Sequence, residues 1–199
     1  MSAALASTRY GESGYRRMPG DFYATPEWVT KALIRSEVGA HLAQHLVWEP
    51  AAGNGDMARV LQRYCREVTS TDIELYTWPL DGRVDFTEFG PADDPPNGCT
   101  AIITNPPYSL ADGFLSSALS NMKIRAAAML LPNDFMCAEK RKWLREHPMF
   151  RFKIELTSRI RWVNLPKGSA SPRNHHAWFV FCRDHGWRGH PQLSWAGRG

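Results

Sequence analysis

The sequence has little cysteine and no long apolar run, and each shortage removes a class of function. Four cysteines, Cys65, Cys99, Cys137 and Cys182, are scattered through 199 residues without a C-x-x-C pair. That spacing excludes a disulfide frame or a zinc ribbon and reads as reduced, mostly packed thiols. No stretch stays apolar for the roughly 18 residues that a membrane crossing needs, so no membrane partner is expected. Residues 1–20 lack the unbroken apolar core of a secretory signal. They read as a flexible leader on a cytoplasmic protein. The seven histidines are read as lacking the spacing of ligands on a helix, and the adjacent His175 and His176 would point to opposite faces of a strand. No metal is expected.

What is present is an ordinary globular composition, 43% hydrophobic and 22% charged, on a chain long enough for one well-cored domain. The charge is uneven. Residues 1–120 hold 9 Lys/Arg against 15 Asp/Glu, and residues 121–199 hold 15 against 5. A basic second half suits a polyanion lying across one side, although a solvated charged face would look the same.

The most informative stretch is Thr100–Leu110. Ala101, Ile102 and Ile103 read as a buried strand, which Asn105-Pro106-Pro107-Tyr108 must end, because consecutive prolines cannot continue a ladder. A helical pattern follows, with Leu110, Phe114, Leu115, Ala118 and Leu119 on one face. In open α/β sheets, ligands bind outside the carboxyl ends of strands. Asn105 offers a side-chain carbonyl there and Pro106 a backbone one. Together they can accept both protons of an exocyclic amine, while Tyr108 stacks on the ring that carries it.

A second strand end lies upstream. Leu46-Val47-Trp48 leads into Glu49-Pro50-Ala51-Ala52-Gly53-Asn54-Gly55-Asp56 and then a helix carrying Met57, Val60, Leu61 and Tyr64. Gly53 and Gly55 let the backbone turn sharply and approach a ligand closely. Gly53-x-Gly55-x-x-Ala58 also matches a dinucleotide fingerprint, a weak signal alone. Glu49 argues against it, since a carboxylate suits an ammonium group and not a pyrophosphate. Asp72, 23 residues beyond Glu49, closes the next strand where an acidic residue can take ribose hydroxyls, with Ile73 beside it. Thr25 reads as an N-cap, with Pro26 at the first helical position and Glu27 behind it.

The Asn105–Tyr108 tetrapeptide resembles the catalytic motif of the S-adenosylmethionine-dependent amino-methyltransferases. That group includes the DNA N6-adenine methyltransferases, small phage or prophage enzymes among them. The same tetrapeptide also marks glutamine and ribosomal-RNA guanine methyltransferases. The likeness runs from about residue 21 to 182 through five segments in family order. It implies S-adenosyl-L-methionine as cofactor, held at its methionine end by Tyr23, Thr25 and Pro26 and through Glu49, Ala51, Gly53 and Gly55. Asp72 and Ile73 would serve the ribose, Asp85 the adenine amine and Phe86 its ring, and Asn105 would touch cofactor and target alike.

The same likeness implies a Rossmann-like class I methyltransferase fold: an α/β, doubly wound, mostly parallel sheet of seven strands with the last antiparallel. The methyltransferase domain is placed at 21–183, with a patternless tail at 184–199 that is either disordered or packed as an extension. Between the last two strands, residues 158–176 mix cations with small polar residues and one aromatic. Arg159, Arg161, Trp162, Lys167, Ser169, Arg173 and Asn174 suit phosphate contact and base stacking, and DNA is the expected partner. No segment after Asn105 is long enough for a large target-recognition insert, which implies recognition of a short site. Four alternatives remain open: an RNA base, a protein glutamine, an inactive binding module, and an NAD-dependent oxidoreductase.

Overall fold

The structure, a computed structural model, describes residues 24–162, 174–183 and 189–198. Among them, eight strands form one sheet in the order β3-β2-β1-β4-β5-β7-β6-β8. The strands are β1 (Leu46–Glu49), β2 (Glu67–Asp72), β3 (Gly82–Arg83), β4 (Ala101–Thr104), β5 (Ala126–Pro132), β6 (Phe150–Leu156), β7 (His176–Cys182) and β8 (Gln192–Ala196). β1 pairs in parallel with β2 and β4, and β4 in parallel with β5. β7 is inserted antiparallel between β5 and β6.

The helices are α1 (Glu27–Ile34), α2 (Gly39–Leu42), α3 (Asp56–Leu61), α4 (Ala111–Ser120) and α5 (Lys142–Arg145). Sequence period decides which layer each residue joins. β4 and β7 are buried along their whole length, as strands covered on both faces must be. Alternate residues therefore feed two cores. On one face Val29 and Leu33 of α1 and Met57 and Leu61 of α3 pack on Ile103, Leu130 and Trp178. On the other, Phe114, Leu115 and Ala118 of α4 pack on Ile102, Met129 and Phe179. Trp178 Nε1 donates to the Val29 carbonyl at 3.1 Å, which fixes α1 over the sheet.

Three local expectations change. Pro26, not Thr25, holds the N-cap of α1, and no side chain caps that helix. The Thr25 hydroxyl accepts from Asn105 instead. Glu139–Glu146, with Lys140, Arg141, Lys142 and Arg145, reads in sequence as one helix, but it divides into a 3-10 turn at Glu139–Arg141 and the four-residue α5. The tail contributes β8, so the sheet has eight strands and not seven. β8 runs parallel to β6, pairing Phe152 with Gln192 through Leu156 with Ala196. Leu193 and Trp195 alternate with polar neighbours over only five residues, too short a pattern to single out a strand, and both are half exposed or more in the structure.

Candidate active site

The strand order reverses at β1, where the chain passes on one side to β2 and on the other to β4. Such a switch point leaves a crevice beyond the carboxyl ends of the strands. A cavity of about 370 Å³ lies there, the size of a small-ligand site. Glu49 ends β1, Asp72 ends β2 and Asn105 follows β4, and all three line it together with Thr25, Ala51, Ile73, Asp85, Phe86 and Pro107.

The loop after β1 is shaped by its hydrogen bonds. Ala52 N–H donates to the Thr71 carbonyl at 3.0 Å, and Gly55 N–H returns to the Ala52 carbonyl at 2.8 Å. Gly53 and Gly55 take φ of 51° and 72°, a left-handed backbone that side chains disfavour. Asp72 holds this loop in place. Its carboxylate accepts from Gly53 N–H at 2.9 Å and from Glu74 N–H at 3.0 Å.

Charge is the cavity's plainest property. Glu49, Asp56, Asp72, Glu74 and Asp85 line it, and among the described residues no Lys or Arg joins that lining, although Arg59 reaches Asp56 at 3.7 Å from outside it. Glu49 is 2% exposed, and its Oε2 has no partner among the described residues. Burial pushes its carboxyl well up, Asp72 and Asp56 push it further, and the Ala58 N–H opposes them. Burial also raises Asp72. A buried carboxyl without a cation is costly, so this lining fits a ligand with a positive end and rejects a pyrophosphate. The lining suits a ligand with an ammonium group, a hydroxyl-bearing edge and a flat ring: Glu49, Asp72 and Glu74 offer acceptor oxygens, and Ile73, Val84 and Phe86 offer apolar surface.

Not every expected residue lies in the cavity. Gly53, Gly55, Pro26 and Pro106 shape it from behind. Asp85 is turned partly inward, its Oδ1 accepting from Thr87 N–H and Oγ1. Phe86 is almost wholly buried against Trp48, Phe89 and Phe114. Tyr108 stands beside the cavity, its ring 5.7 Å from His176. Tyr23, Lys167, Ser169 and Arg173 lie outside the described residues. Arg159 and Arg161 are exposed, Arg159 donating to His175, and Asn174 is exposed beside them. Trp162 is buried, edge-on to His176 at 5.3 Å; a ring so placed packs in the core and offers no open stacking face.

Sequence reasoning missed the cover of the glycine loop. Glu74 and Tyr76 line the cavity. Thr77 donates to Asn54 at 3.2 Å, and Trp78 lies on Gly55 with Arg59 stacked over it at 4.8 Å. The clue was an aromatic pair, Tyr76 and Trp78, in a short loop directly after the acidic strand end.

His176 yields one expectation. Burial lowers its imidazole from 6.5 to about 4, His175 lowers it further, and the Asn174 backbone and Asp134 oppose them. The native state therefore refuses a proton that the unfolded chain accepts below pH 6.5, so stability falls as pH drops toward 4. The loss between pH 7 and pH 5 is about 2 kcal/mol. Urea unfolding of His176→Phe should lack that dependence, and an unchanged acid slope would reject the assignment.

Comparison with known proteins follows this geometry. No family model matches the chain, and no curated protein sequence matches it. Solved structures do. The 23S rRNA methyltransferase ErmE superimposes with a TM-score of 0.55 at 18% identity, covering 85% of this chain and 71% of that one. The chain has the class I methyltransferase fold. A type I restriction-modification methyltransferase subunit from Streptococcus thermophilus gives 0.56 at 16%, covering 88% of this chain and 47% of that one. A dimethyladenosine transferase from Plasmodium falciparum gives 0.50 at 13%, covering 81% and 62%. At such identities the likeness is one of fold. The methyltransferase fold accounts for the strand order and the reversed β7, while β8 is an addition at the sheet edge.

Proposed function

We propose that this chain transfers a methyl group from S-adenosylmethionine to the N6 amine of a flipped-out adenine in DNA. The observation that carries the reading is a shared cavity: Asn105 and Pro107 of the kinked tip open into the same space as Glu49 and the glycine loop. The cofactor would supply an electrophilic methyl on a cationic sulfur. Asn105 donates Nδ2 to Thr25 Oγ1 at 3.1 Å, which orients the amide so that Oδ1 is the acceptor for an amine. Pro106 adds a backbone carbonyl. Two acceptors on one NH2 draw its lone pair out of conjugation and aim it, so positioning and fixed dipoles carry the catalysis. The proton lost from the amine leaves to solvent. Inside a duplex the amine is out of reach, so the base must leave the stack, and exposed Arg159 and Arg161 stand ready for phosphates.

The same geometry would serve an RNA adenine, a guanine N2 or a glutamine amide. The folds of an rRNA enzyme and of a restriction subunit are equally near, and the basic second half favours nucleic acid. A radiolabelled methyl assay run in parallel on DNA, ribosomal RNA and a release factor tests the reading. Label in DNA, mapped to adenine by long-read sequencing, is expected. Label only in RNA or protein moves the substrate, and none with any substrate revives the inactive binding module.

Cofactor binding should be coupled to a proton. Burial raises the Glu49 carboxyl, and an ammonium group facing it would favour the carboxylate and so lower it again. Affinity should therefore rise with pH, and calorimetry in two buffers of different ionisation enthalpy should register proton release. Because the raised carboxyl stabilises the empty protein at low pH and costs stability as pH climbs through it, Glu49→Gln has two opposite effects. It should raise thermal stability at pH 8 and lower cofactor affinity at least tenfold. A less stable Glu49→Gln protein would contradict this.

A further inference from the structure

We propose that His41 and His45 form a site for a divalent transition-metal ion at the end of the sheet opposite the cavity. The two residues are four apart, on α2 and the turn that continues it: Gln44 N–H donates to the His41 carbonyl and His45 N–H to the Leu42 carbonyl, both at 3.2 Å. Their Nε2 atoms are 3.4 Å apart and their ring centroids 5.0 Å apart. The rings meet edge to face, 75° apart. Two nitrogens each about 2.1 Å from one ion at the tetrahedral angle would lie about 3.4 Å apart, the separation found here, so a small shift of the rings would let one ion replace the direct contact.

The surroundings prepare the ligand. His45 Nδ1 lies 2.9 Å from Thr100 Oγ1. A Nδ1–H donated there leaves the Nε2 lone pair directed at the His41 ring, the outer bond that fixes tautomer and orientation in metal-binding histidines. Both histidines are half-buried, so the ion is reachable from solvent and the rings are held. His45 directly precedes β1 and Thr100 directly precedes β4, so the site lies a strand length, about 13 Å, from the carboxyl-end cavity. Among the described residues no third His, Cys, Asp or Glu joins the pair. With two protein ligands the ion would stay exchangeable, and it would tie α2 to the start of β1. Imidazole ligands favour copper, nickel and zinc.

The test uses the full chain with no added histidines, titrated calorimetrically with Zn²⁺ and with Cu²⁺. One site of micromolar affinity is expected. His41→Gln and His45→Gln should each weaken it at least tenfold, and Thr100→Val should weaken it less. Electron paramagnetic resonance of the Cu²⁺ form should show two nitrogen ligands, and Zn²⁺ should raise the unfolding temperature of the wild type but of neither histidine variant. Melts in EDTA check that the variants fold, and the Cu²⁺ spectrum decides if one does not. Equal affinity in both histidine variants would place the ion elsewhere, and no binding by the wild type below 1 mM would leave a plain hydrogen-bonded pair. Either result overturns the proposal.

Discussion

Asn105→Ala is expected to reduce methyl transfer about a thousandfold while changing cofactor affinity less than about fivefold. The first figure follows from removing one preorganised hydrogen-bonding group at the reacting centre, which costs about 10²- to 10³-fold, with loss of aim added. The second follows from the cavity itself, where Glu49, Asp72, Glu74, Ile73 and Phe86 are untouched by the change. Asn105→Asp separates the two ends of the amide. It keeps acceptor oxygens for an amine but cannot donate to Thr25 Oγ1, so it should retain transfer at an intermediate rate. Single-turnover transfer and equilibrium titration of the cofactor are the two measurements. If transfer and affinity fall together, Asn105 belongs to cofactor binding, and if neither falls, the reacting centre lies elsewhere.

The contrast between what the sequence disclosed and what it withheld has a physical cause. β4 and its end were readable because an apolar run halted by two prolines has one interpretation. Phe150–Leu156 reads as a strand because apolar and polar residues alternate along it, and the structure gives β6 that span. Ala177–Cys182, a continuous apolar and aromatic run, reads as a strand too, and β7 adds only His176 to it. The strand ends that line the cavity were readable because the backbone there must turn, and glycine and proline mark the turn. Residues that act through tertiary contact left no such mark. Thr25 looked like a helix cap until Asn105, 80 positions away, took its hydroxyl. Trp162 looked like an exposed stacking ring until His176, on another strand, buried it. Asp72 was legible as an acidic strand end, but that its oxygens hold the backbone of Gly53 and Glu74 depends on a pairing that no local pattern encodes.

Gly55→Ala is expected to damage stability and cofactor binding together, and it follows from such a tertiary contact. Two costs fall on one position. At φ 72° a side chain pays about 1–2 kcal/mol for a left-handed backbone. A Cβ there would also overlap the ring of Trp78, which cannot retreat freely: its Nε1 donates to Ser70 Oγ at 3.3 Å, and Arg59 lies over its outer face. Displacing Trp78 gives up both contacts and opens the loop that carries Tyr76 over the cavity. The sum is about 3–5 kcal/mol, which lowers the unfolding temperature by roughly 6–20 °C for a chain of this size. Cofactor affinity should fall at least a hundredfold, since the loop and its cover move together. Gly98→Ala isolates the backbone cost. Gly98 has φ 67° but nothing within 4 Å of a Cβ, so its loss should be about 1 kcal/mol with affinity unchanged. Trp78→Ala combined with Gly55→Ala should recover part of the stability lost by Gly55→Ala alone, because the overlap is gone and only the backbone term and the missing ring remain. Additive losses in the double variant would mean that Trp78 does not press on the glycine loop.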